Sequence, residues 1–105
     1  MAQRTLRHRV VIEQYAESTG DYGEAVRTWS TWRERWADIR PLNGREILLA
    51  QQVGALTSHE ITLRHMDGLT AAMRINYNGR YFNIGSLRNE GERDRWLILQ
   101  CTEVT

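Results

Sequence analysis

Apolar and polar side chains alternate along most of this chain. From Leu6 to Gln14, Leu6, His8, Val10 and Ile12 share one face and Arg7, Arg9, Val11 and Glu13 the other, the period of a half-buried strand. Val26 to Ile39 is long for one strand and holds tryptophans at 29, 32 and 36. Trp29 and Trp32 have opposite parity, so a bulge or bend is expected between Thr31 and Arg35, with Ala37 and Ile39 turned to the core. Thr57 to Met66 alternates again, placing Ile61 and Leu63 between His59 and His65. Met73, Ile75 and Tyr77 lead into Asn78-Gly79, the signal of a two-residue type I′ hairpin, and Phe82 and Ile84 return inward. Trp96 to Val104 is apolar on both faces at its start, as in a central or covered strand, with Leu97, Leu99 and Cys101 on one side.

The pattern breaks between Trp36 and Ala55. Pro41 ends a ladder, Asn43-Gly44 precedes strong helix formers, and Glu46 stands where a capping box needs its reciprocal acceptor. Gly54 is the stop. The reading is a helix of about ten residues, too short to be stable without a partner surface. Leu42 and one of Ile47 or Leu48 are expected to anchor it, with Arg45, Glu46, Gln51 and Gln52 pointing outward as a candidate subunit or channel interface. Two turn-rich segments are expected to be mobile loops: Tyr15 to Glu24, with Gly20, Asp21, Tyr22 and Gly23, and Asp67-Gly68-Leu69-Thr70. The whole is a mainly β protein, a small antiparallel barrel or sandwich of about six strands in a single domain, residues 1–105. Its one short helix lies between strands two and three and covers an end. The expected core is Val10, Ile12, Ala37, Ile39, Leu42, Ile61, Leu63, Ile75, Phe82, Ile84, Leu97, Leu99 and Cys101.

Composition adds mainly exclusions. Fourteen basic against 13 acidic residues give a net charge of +1 and no global pull toward nucleic acid or lipid. Every basic residue is arginine, the side chain suited to planar contacts with carboxylates at interfaces, although a GC-rich coding genome gives the same bias. The single cysteine, Cys101, excludes an internal disulfide, and no apolar run approaches the ~18 residues of a membrane span. Met1-Ala2-Gln3-Arg4 has no signal-peptide core, so a cytoplasm-like compartment is expected.

Candidate chemistry is sparse. His59-Glu60 begins a zincin motif, but Leu63 stands in place of the second ligand and the segment alternates as a strand. Ser58 and His59, as strand neighbours, are expected to point to opposite faces and form no dyad. No glycine spacing matches a phosphate loop, and no carboxylates pair in apolar surroundings. The reading is a protein that binds or builds, without catalytic, metal or cofactor residues. Trp29 and Trp32 are strand cover or, more sharply, interface anchors. An alternative is a small nucleic-acid-binding barrel using Arg4, Arg7 and Arg9 for phosphates and exposed aromatics for stacking, against which Glu13, Glu34, Asp38 and Glu60 break up any basic face.

Five segments, in order, carry a family resemblance: LRHRVVIE (6–13), WADIRPLNGRE (36–46) with AQQ (50–52), HEITLR (59–64), MRINYNGRYFNI (73–84) and NEGERDRWLILQC (89–101). Together they resemble the head-tail joining proteins of long-tailed phages and prophages, also called head-closure, stopper or head-tail adaptor proteins. The resemblance implies a small β-barrel acting as a structural virion protein, with no active site and no cofactor. It implies a ring of copies below the portal and adaptor that closes the DNA-filled capsid and offers the tail its docking surface. The implied partners are further copies of the chain, portal or adaptor proteins, tail completion or tail-tube proteins and the DNA passing through. The implied location is the head-tail interface of a virion assembled in the bacterial cytoplasm, with no membrane.

Overall fold

In a computed structural model that describes residues 5–104, six antiparallel strands close on themselves in the order β1-β2-β3-β6-β5-β4. The strands are β1 (His8–Thr19), β2 (Ala25–Pro41), β3 (His59–Arg64), β4 (Arg74–Tyr77), β5 (Arg80–Asn89) and β6 (Trp96–Val104), with helix α1 (Gly44–Gln52) between β2 and β3. Closure comes from β1, which pairs with β2 along its length and with β4 through Val11, Ile12 and Glu13. Mainly β architecture with one helix after strand two follows the alternation as read.

Period-two patterning fills the interior. Val10, Ile12, Ala37, Ile61, Leu63, Ile75, Phe82, Ile84, Leu97, Leu99 and Cys101 form one buried cluster. Ile39 is half-buried against that cluster, and Leu42 is half-buried outside it, because it lies past the end of β2. Burial in apolar surroundings pushes the Cys101 thiol up to about 12, so it is an inert packing group. Asn78 and Gly79 both hold positive φ, as a type I′ turn requires.

The bulge in β2 falls at Trp32: Ile12 faces Arg33 and Glu13 faces Thr31, leaving Trp32 as the extra residue. Its ring turns onto the core instead of standing with Trp29. The loop after β3 packs over it so closely that a Cβ on Gly68 would lie 2.9 Å from Trp32 Cζ2. Leu69 is half-buried against the same core, so this loop is a packed lid over one barrel end.

Beyond Glu13 the first two strands leave the barrel as a ribbon. Tyr15 lies within β1, opposite Trp29, and the turn is confined to residues 20–24, with Gly20 N–H donating to the Glu24 carbonyl at 2.8 Å. The loop expected from Tyr15 onward is therefore strand through Thr19. Polar residues on both faces hid it; the cross-strand contacts of Tyr15 with Trp29 and of Glu17 with Arg27 hold it. The protein measures 54 × 30 × 26 Å with a radius of gyration of 15.0 Å, against about 13 Å for a compact chain of this length.

Candidate assembly surfaces

Helix α1 forms for the local reasons its sequence contains. Asn43 Oδ1 accepts the Glu46 N–H at 2.9 Å, and Glu46 Oε1 accepts the Asn43 N–H at 3.2 Å, a reciprocal capping box. The helix ends at Val53, and Ala55 N–H returns to the Ala50 carbonyl at 2.9 Å. Leu42 N–H donates to the Ser58 carbonyl and Ser58 N–H to the Cys101 carbonyl, which pins the base of the excursion to β6.

What α1 lacks is a buried face: none of its side chains is buried. Ile47 and Ala50 turn toward the barrel and are half-buried, whereas Leu48 is 62 % exposed, Leu49 54 %, Val53 83 % and Leu56 75 %. A helix anchored into the core by Leu42 and covering a barrel end is thus not what forms. Nine residues between two pinned ends lie along the outside of the wall instead. Glu46 is also inward: both its oxygens take Arg40 of β2, at 2.9 and 3.0 Å, while Arg40 reaches Glu60 of β3 at 3.4 Å. The Arg40 guanidinium and the cap hold the Glu46 carboxyl below its usual range. Arg45, Gln51 and Gln52 are exposed as expected. At 100° per residue Arg45, Leu48, Leu49, Gln52 and Val53 share one face, and that i, i+3, i+4, i+7, i+8 spacing was the available signal for the leucines.

The barrel wall at the root of the ribbon is built differently. The Arg74 guanidinium lies 4.1 Å from the ring centroids of both Trp29 and Tyr81, and its Nε donates to Glu13 Oε1 at 2.6 Å. Arg27 covers Tyr15 at 4.5 Å, and Tyr15 meets the Trp29 ring at 5.0 Å. Cations interleaved with rings in this way stiffen the root of the ribbon. They also occupy the ring faces that base stacking would need. Arg9 lies over Trp36, Arg7 is exposed, and Arg4 falls outside the described residues. The two tryptophans offered as anchors are therefore separate: Trp32 packs on the core, and Trp29 is half-buried under Arg74.

The mouth opposite the ribbon holds an open cavity of about 230 Å³ lined by His8, Ile39, Pro41, His59, Tyr77 and Arg80. Arg80 grips Glu103 with two nitrogens, at 2.9 and 3.0 Å, which holds that carboxyl below its usual range. His59 stands edge-on to Phe82, 3.8 Å from Glu103, and burial depresses its pKa. Contrary to the strand-parity expectation, Ser58 Oγ lies 2.9 Å from His59 Nδ1, because Ser58 precedes β3 and is free of its alternation. That hydroxyl also accepts the Glu103 N–H at 2.9 Å, so it straps the segment after α1 to β6. Among the described residues no three histidine, cysteine or carboxylate side chains converge as a metal site.

Residues 1–104 match the profile of a family described as phage head completion protein. A solved protein from Shigella flexneri 2a is 27% identical, covering 93% of this chain and 92% of that one with a TM-score of 0.74. A chain from the virion of a native gene transfer agent particle has the same fold at 16% identity, with a TM-score of 0.68 over 97% of this chain and 98% of that one. No curated protein matches the sequence.

Proposed function

This chain belongs to the family of phage head completion proteins, a structural protein of the virion's head-tail region, and from that premise we propose that it is a subunit of a connector ring. The ring closes the DNA-filled capsid below the portal and adaptor and provides the surface on which the tail docks. The observation that carries this reading is the uncovered face of α1. A capped helix held outside a completed barrel, with three aliphatic side chains in water, is shaped for contact with another chain.

Charge is compatible with a passage for DNA. A lumen lined by a strongly cationic subunit would retain the duplex through counterion release, and a net charge of +1 avoids that. Particles assembled without this chain are expected to package DNA, lose it, and fail to acquire tails, scored by electron microscopy of lysates and by nuclease-protected DNA. Full heads that join tails normally in its absence would refute the proposal.

A further inference from the structure

Two of the exposed apolar surfaces among the described residues lie at opposite ends. β1 runs from His8, at the mouth, to Thr19, at the ribbon tip, and β2 returns from Ala25 to Pro41, after which α1 begins. At the tip Tyr22 is 96 % exposed, with Val26 also exposed beside it. Residues 18–26 contain two acids, Asp21 and Glu24, and no basic residue. The outward face of α1 carries Arg45 and no acid, since Glu46 is turned to Arg40. One end is thus an aromatic in an acidic frame, and the other an aliphatic face with a cation at its rim. The ribbon leads away from α1, so the two cannot meet within one chain.

We infer that the tip of the β1–β2 ribbon of one copy seats on the outward face of α1 of the next, Tyr22 against Leu48, Leu49 and Val53, with Asp21 and Glu24 toward Arg45. The inference rests on the ring reading and supplies the contact that builds the ring. A contact between two different patches at opposite poles is heterologous, the type that propagates head to tail and closes when the rotation between copies permits. The four exposed aliphatics, Leu56 included, make a patch of few side chains, well short of the roughly 20–30 residues and 800 Å² that one partner contributes to a stable two-body interface. Free subunits therefore associate weakly, and the contact forms when a template holds neighbours side by side.

The test uses full particles carrying Asp21→Cys and Gln52→Cys in the same chain, oxidised mildly and run on non-reducing gels. Both positions are exposed and Cys101 is buried, so melting temperature should match the parent and the native thiol should not compete. A ladder extending beyond the dimer, absent from either single variant and lost when Tyr22→Ser is added, is the expected result. The chain present in full particles with no ladder overturns the tip-to-helix contact and leaves the ring reading standing. A product that stops at the dimer keeps the contact and overturns the ring, and absence of the chain from full particles overturns both. A disulfide from Gln52→Cys to a different polypeptide assigns the α1 face to another partner and overturns the contact.

Discussion

Inside the barrel, Ile12, Ile61, Leu63, Ile75, Phe82 and Leu99 have no solvent exposure, while between Gly44 and Leu56 not one side chain is buried. Both regions are rich in leucine and isoleucine, so composition does not separate them. Topology does: a closed barrel has one interior, already filled by alternate residues of six strands, and α1, inserted between β2 and β3, adds no buried side chain to it. The ribbon is the second such element, leaving the barrel at the opposite end. Apolar side chains left on such elements contribute nothing to folding stability until a partner covers them. The barrel specifies the fold, and the projections are available for assembly.

The comparison is broken most severely from the barrel side. Phe82→Ala removes the largest fully buried side chain and is expected to cost about 3–5 kcal/mol, read as a shift in urea midpoint. Arg74→Ala comes next, at about 2 kcal/mol, because it strips the cation from between Trp29 and Tyr81 and leaves Glu13 half-buried without its closest donor. Here the loss should concentrate in the ribbon: hydrogen exchange of residues 15–19 and 25–29 should accelerate before that of β3 and β6. Equal acceleration throughout would show that the ribbon and the barrel are one cooperative unit.

Much of the barrel was legible because it has one wet face and one dry one. His8, Val10 and Ile12, or Ile61 and Leu63, announce both a strand and its orientation. The Asn78-Gly79 turn and the Asn43–Glu46 box are local, so local sequence sufficed for them. The ribbon was misread because exposure of both faces erases the alternation. Its signal lay in pairing across the turn, where Tyr15 with Trp29 and Glu17 with Arg27 have position numbers that sum to the same value. That α1 would bury none of its side chains was not legible for another reason. A leucine-rich helix in a small domain normally finds a core, and only tertiary closure shows that no room remains. Nor did any residue announce that β3 would pair with β6, since long-range strand order leaves no mark on period or turn chemistry.

Smaller perturbations separate the helix from the barrel. Asn43→Ala removes the acceptor of the Glu46 N–H and should cost α1 about 1 kcal/mol. Because the helix buries nothing, the change should appear as faster exchange of amides 46–53 with the barrel midpoint nearly unmoved. Acid acts at the mouth through His59 and Glu103, and on α1 through Glu46, whose pKa values all lie below the ordinary 6.5, 4.5 and 4.5. In each case the unfolded chain binds protons first as pH falls, so stability is full above the ordinary value and declines below it. Melting temperature should therefore fall from about pH 6.5 downward, and His59→Gln should flatten the upper part of that decline while leaving the carboxylate part below pH 4.5.

The smallest expected effect on stability belongs to the α1 face, and it discriminates most. Leu48→Gln together with Leu49→Gln replaces two exposed side chains without opening a cavity or stranding a polar group, so the unfolding free energy should change by no more than about 0.5 kcal/mol. Removing exposed apolar surface should even improve solubility. If these leucines were instead part of the fold, the cost would approach the ~2 kcal/mol or more of truncating a buried leucine, and the midpoint would shift accordingly. A double variant that folds like the parent yet fails to enter particles would place the function of this segment outside its own subunit. A variant that folds and assembles normally would leave α1 as a tolerated insertion and move the search for the contact to the Trp36 and Arg9 wall, where a half-exposed indole lies beneath a guanidinium.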